Sequence, residues 1–152
     1  MHHSARPVAC RRAAGFTLIE MMVATAVSGV LATTAYPTYA GAVQKMRRCE
    51  ALVALMQVQQ AEEHFRSSAS RYATLSELGP TAPAASRHYT LTVDAATADG
   101  YAATAVATGA QAGDRHCRVM KASVDGAVWT TASGATDAAD NDAQANRRCW
   151  NQ

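Results

Sequence analysis

Glu20 is the only charged residue between Phe16 and Tyr36. A carboxylate near a bilayer centre costs about 2.5–3.5 kcal/mol on insertion scales, and less where it sits close to the helix start, as here. A glutamate kept in such a run is either turned toward the cytoplasm without a partner or held by a positive group. Four cysteines follow a different logic. Cys10, Cys49, Cys117 and Cys149 form no CxxC pair, so zinc-ribbon and thioredoxin chemistry have no motif to rest on. Arg115, His116, Arg118, Arg147 and Arg148 flank the last two cysteines. Cations at that density can grip phosphates. Asp114, Asp125, Asp137, Asp140 and Asp142 share the region, so a solvated surface of mixed charge accounts for the same residues, and nucleic acid is the less favoured partner. Asp137, Asp140, Asn141 and Asp142 offer oxygens to calcium, but not at EF-hand spacing and without the loop glycine, which favours an ordinary acidic loop and no metal site. There is no GxSxG, HExxH or P-loop, and His64 and His88 stand alone. The chain therefore reads as a non-enzyme without a cofactor.

These residues hang on a simple plan. Residues 1–15 are polar and basic, with Arg6, Arg11 and Arg12 and no acid. The next 21, FTLIEMMVATAVSGVLATTAY, are long enough as a helix to span about 30 Å, a bilayer core. The preceding arginines place its N-terminus in the cytoplasm. A secretory signal is cut after its apolar run; here the Gly15-Phe16 junction precedes it. Cutting there removes the charges and keeps the helix, while an uncut signal anchor fits the hydropathy equally well. With three of 14 basic residues removed, 11 remain against 12 acids. The basic balance then belongs to the leader and does not mark a nucleic-acid-binding body. Cys10 also leaves with the leader, and of the three remaining cysteines one is left over from any pairing.

Pro37 ends the apolar run and predicts a kink. Helical spacing resumes through Tyr39, Ala42, Val43, Met46, Cys49, Val53, Met56 and Gln60, which predicts a half-buried amphipathic helix to about Phe65. Cys49 falls on that stripe and reads as a small buried hydrophobe. Both halves together make a helix of about 50 residues, which needs lipid or copies of itself to cover it. From Ser67 a loop region follows. Period-two alternation then predicts a strand through Tyr89, Leu91 and Val93, a turn at Asp99-Gly100, and a strand over 101–108. A third strand is expected to carry Cys117, Val119 and Lys121 on one face, and a turn at Asp125-Gly126 leads to a fourth around 128–131. Residues 133–148 read as a loop. The fold class is α+β: one long helix on a small antiparallel sheet of about four strands. Few aromatic residues are present, so a large aromatic core is not expected.

The segment GFTLIE at Gly15–Glu20 resembles the prepilin-peptidase motif of type IV pilins and of type II secretion pseudopilins. The likeness covers the leader, Gly15, Phe16, Glu20, the apolar run, Gly29 and Pro37. AGDRHC at Ala112–Cys117 and the final Cys149-Trp150 resemble small minor pilins. The resemblance implies three parts: a leader, 1–15; a transmembrane and filament-core helix, 16–37; and a periplasmic or surface head, 38–152. It implies cleavage after Gly15 and N-methylation of Phe16 by prepilin peptidase, and insertion in the inner membrane. Extraction by the pilus assembly machinery into an extracellular filament would follow, serving adhesion, motility or DNA uptake. Other pilin subunits are the implied partners, with Glu20 meeting a neighbour's Phe16 amine and the helix between Gly29 and Pro37 able to melt. A Cys117–Cys149 disulfide closing the C-terminal region is part of the same plan, and it brings Arg115, Arg118, Arg147 and Arg148 together. The alternatives are a DNA- or ligand-binding pilin, or a secretion pseudopilin; the terminal disulfide argues against the last.

Overall fold

The structure, a computed structural model, describes residues 15–83 and 86–151. The expectations for the leader, Cys10 included, fall on residues 1–14 and lie outside the described residues. In chain order the elements are α1 (Leu18–Ala69), α2 (Leu75–Leu78), β1 (Tyr89–Asp94), β2 (Gly100–Ala107), β3 (Val119–Asp125), β4 (Val128–Gly134) and α3 (Ala143–Cys149). The chain divides into two compact units between Tyr39 and Ala40.

The first unit carries the N-terminal part of α1. Thr17 and Glu20 build its start: Glu20 Oε2 accepts from Thr17 N and from Thr17 Oγ1, each at 2.8 Å, while Glu20 N donates to Thr17 Oγ1 at 3.3 Å. That is a capping box, in which each side chain accepts from the other residue's otherwise orphaned backbone amide. Thr25, Ser28, Thr33 and Thr34 turn their hydroxyls back onto carbonyls three or four residues earlier, so none leaves a bare donor in an apolar setting. The helix continues through Pro37.

In the second unit, β1 to β4 form one antiparallel sheet in sequence order. Tyr101, Ala103, Ala105 and Ala107 of β2, with Met120 and Ala122 of β3, point to the buried face. There they join Ala51, Leu55 and Val58 of α1 in one core. The small side chains let helix and sheet approach closely, which keeps the interior dense without bulky residues. Four aromatics, Tyr72, Tyr89, Tyr101 and Trp150, are buried in this core.

Several expectations change here. The predicted stripe of α1 is not the face that packs: Met46, Cys49, Val53 and Met56 are exposed, and the buried positions are Ala51, Ala54, Leu55, Val58, Ala61 and Glu62. Both faces have helical spacing, and the sheet takes the one whose alanines permit close contact. Cys49 is thus an exposed thiol, not a buried hydrophobe. The helix also runs past Phe65 to Ala69, with Ser67 and Ser68 bonded back to His64 O and Phe65 O, and ends where Ser70 takes a positive φ of 54°.

Cys117 lies before β3, not within it. On β3 the core face is Met120 and Ala122, so Val119 and Lys121 point to the other side. The turn after β1 is organised by Thr97, whose Oγ1 accepts from Gly100 N at 3.0 Å and Asp99 N at 3.3 Å, a threonine-based turn. Gly100 itself opens β2 and is glycine because a Cβ would strike Val124 O. The second hairpin is as expected: Asp125 pairs with Val128, leaving Gly126 and Ala127 as a two-residue loop with Gly126 at φ +60°, as the favoured hairpin turns require.

Residues 133–148 are not one loop. β4 continues to Gly134, and α3 begins at Ala143 behind an Asp142 N-cap whose Oδ1 accepts from Ala145 N at 2.7 Å. Helix α3 lies along the free edge of β4. Asn146 Nδ2 donates to Thr131 O at 2.9 Å, Asn141 N donates to Ser133 O at 3.2 Å, and Trp150 Nε1 donates to Ala132 O at 3.3 Å.

Candidate functional site

The candidate site is built around the Cys117–Cys149 disulfide, whose Cα atoms are 5.5 Å apart. Both sulfurs are buried in the core, so the bridge fastens the end of α3 beneath the segment that leads into β3. The expected pairing is present, and Cys49 stays free.

Asp114 sets the shape of that segment. Its carboxylate is buried. Oδ1 accepts from Cys117 N at 3.2 Å and His116 N at 3.4 Å. Oδ2 accepts from Gln111 Nε2 at 3.1 Å, and Gln111 also donates to Tyr89 Oη at 3.1 Å. Arg48 of α1 completes the arrangement with a paired contact. These donors satisfy the buried carboxylate on both oxygens.

Two of the acids near the arginines, Asp140 and Asp142, accept hydrogen bonds from the backbone. Asp140 Oδ2 accepts from Thr136 N, Thr136 Oγ1 and Asp137 N, each at 2.7 Å. Those bonds hold its carboxyl below the usual range, the Asp137 amide first among them. Asp142 is likewise lowered, chiefly by the Ala145 amide. Carboxylates turned toward amides are poorly placed to gather calcium oxygens. Among the described residues no group of three or more His, Cys, Asp or Glu converges on a metal position.

Arg115, Arg118, Arg147 and Arg148 are all exposed. None joins an ion pair among the described residues, where the pairs are Arg48–Asp114, Arg71–Glu77 and His88–Glu50. Arg118 follows one bridged cysteine and Arg148 precedes the other, so the disulfide draws the two pairs of cations into one neighbourhood. Sequence reasoning named these arginines. It missed Arg48 as the partner of Asp114 and Asp142 as a helix cap. The second had a local signal, an aspartate before a short helix ending in two arginines; the first, 66 residues apart, had none.

Residues 10–36 match the prokaryotic N-terminal methylation motif. Residues 37–121 match the family described as type IV minor pilin ComP, DNA uptake sequence receptor. Among curated proteins, the type IV major pilin protein PilA of Myxococcus xanthus (strain DK1622) is 33% identical over 85 residues, which are 56% of this chain and 39% of that protein. The chain thus spans about two fifths of the length of this relative. No solved structure matches. Helix α1 contains a stretch long and apolar enough to cross a membrane. The family match extends over more than half of the chain, the methylation motif adjoins it, and helix, four-stranded sheet and terminal disulfide follow the pilin plan: the chain belongs to the type IV minor pilin family.

Proposed function

We propose that this subunit is made as a precursor, cut after Gly15 and methylated on Phe16 by prepilin peptidase. It is then held in the inner membrane by residues 16–37 until the assembly machinery extracts it into an extracellular pilus. There its head, residues 38–152, binds DNA through Arg115, Arg118, Arg147 and Arg148. Glycine at position 15 allows the peptidase to approach the backbone, and Gly29 with Pro37 marks a weak stretch of helix that can open during packing.

The observation that carries the DNA reading is the set of four exposed arginines around the disulfide that join no ion pair among the described residues. The family's description as a DNA uptake sequence receptor points the same way. Arg147 and Arg148 lie beyond the matched span, so their part rests on position alone. Cations without partners bind phosphates by releasing counterions, which gives affinity a steep salt dependence. The test is equilibrium binding of duplex DNA to the mature chain in detergent across a salt series. Arg147→Ala with Arg148→Ala should weaken binding and reduce the log–log salt slope by about 2. An unchanged slope and affinity, or no binding at low salt, would overturn the reading.

A further inference from the structure

The face of the sheet turned away from α1 carries a recess of about 450 Å³. Val106 and Val119, paired across β2 and β3, form its floor, and Lys121, opposite Thr104, lies one step along. Arg118 and Asp137 line it as well. The backbone at both is firmly mounted. Arg118 O accepts from Ala107 N at 2.8 Å, which ties its backbone to the end of β2. The turn carrying Asp137 folds over Gly134 so closely that a Cβ there would collide with Asp137 O, and Asp140 grips the same turn through its amides. Asp137 Oδ1 accepts from Ala139 N at 2.9 Å. Its Oδ2 has no hydrogen-bond partner among the described residues, and its side chain is exposed.

This combination selects a ligand. A phosphate would suit Arg118 and Lys121 but would meet Asp137 as a like charge. A purely apolar group would strip water from the carboxylate and the cations without replacing their hydrogen bonds. A planar heterocycle with an amino donor beside a ring or carbonyl acceptor satisfies every wall: its body lies on the valines, its amino group faces Asp137, and its acceptor faces Arg118 or Lys121. Cytosine presents an amino donor of this kind, whereas thymine presents a carbonyl acceptor at the corresponding position. A recess is concave and cannot reach into a duplex groove, so the base it takes must already be out of the stack.

We propose that this recess seats one unstacked, amino-bearing base of single-stranded DNA, with Arg118 and Asp137 as the discriminating pair. The proposal rests on the reading of the head as a DNA-binding module and adds base selectivity to it. The test is anisotropy of labelled oligo-dC and oligo-dT of equal length with the mature chain in detergent. Oligo-dC should bind at least about fivefold more tightly, the lower end of what one well-made base contact discriminates. Asp137→Asn, whose amide oxygen can still accept from Ala139 N, should erase that preference while leaving the salt slope and thermal unfolding unchanged. Arg147→Ala with Arg148→Ala should weaken both oligonucleotides and preserve their ratio. Equal affinities with an ordinary salt dependence would overturn the base seat and leave the phosphate-binding surface standing. So would a preference that survives Asp137→Asn. Failure of both oligonucleotides and of duplex to bind at low salt would remove the two readings together.

Discussion

Arg48 Nε donates to Asp114 Oδ2 at 2.6 Å, and Arg48 Nη2 donates to Asp114 Oδ1 at 3.0 Å, joining α1 to the segment that carries the candidate arginines. The aspartate is fully buried. Removing its partner strands a charge, an effect of about 3–5 kcal/mol for buried pairs. Arg48→Ala should therefore lower the unfolding midpoint sharply. Arg48→Ala combined with Asp114→Ala should recover part of the loss, because no charge is then left alone. Urea unfolding of the mature chain in detergent, followed by tryptophan fluorescence, measures both. A double variant no better than the single would mean that the pair is not the origin of the loss.

The Cys117–Cys149 bridge, whose ends are 32 positions apart in sequence, is worth about 3–4 kcal/mol on the chain-entropy account. Cys149→Ser, and reduction of the wild type, should lower the melting temperature. Both should also open residues 135–148 to protease, because α3 is short and otherwise held mainly by Asn146 and Trp150. Peptide mapping that linked Cys49 to either partner, or melting unaffected by reductant, would refute this.

Glu62 is buried, its Oε2 accepting from Ala73 N at 2.8 Å and its Oε1 left without a partner. Burial pushes its carboxyl above the ordinary value, with the Ala73 amide opposing. The folded state therefore favours the protonated acid. The contribution is complete below the unfolded value near 4.5 and is lost as pH rises through the folded value. Glu62→Gln, neutral at every pH, should unfold at a higher temperature than wild type near pH 8 and show little gain near pH 4. A gain of equal size at both would point to packing instead of titration.

Glu20 is held by Thr17 in its own helix. Under the assembly proposal it must exchange that cap for a neighbour's amine. Glu20→Ala should still insert and be cleaved, since a charge leaves the apolar run, but should be depleted from purified filaments. Thr17→Val breaks the cap and keeps the carboxylate, so it should assemble. If Thr17→Val is depleted as strongly as Glu20→Ala, capping and not pairing is what assembly needs.

Local rules made much of the fold legible. Alternation at Tyr89, Leu91 and Val93 located β1, and Asp125-Gly126 located a hairpin, because both signals act over a few residues. The packing face of α1 was not legible: two apolar stripes share the same period, and only the alanines of β2, some fifty residues later, choose between them. Helix α3 was hidden for a related reason. Its seven residues bury little beyond Cys149, so no apolar pattern announced it, although the Asp142 cap was there to be read. Of the candidate site, the arginines and cysteines could be named from sequence. That Asp114, Asp140 and Asp142 are engaged elsewhere could not, since the donors that occupy them belong to turns and to a distant helix.

The contacts of Asn146, Asn141 and Trp150 with β4 have one more result. The outermost strand of an open sheet offers unpaired carbonyls and amides to any chain that can extend beside it, identical copies above all. Here Thr131 O and Ser133 O are already taken by α3 and the turn before it. The far half of this margin is shut against strand exchange, so heads crowded side by side have one less way to fuse into a common sheet.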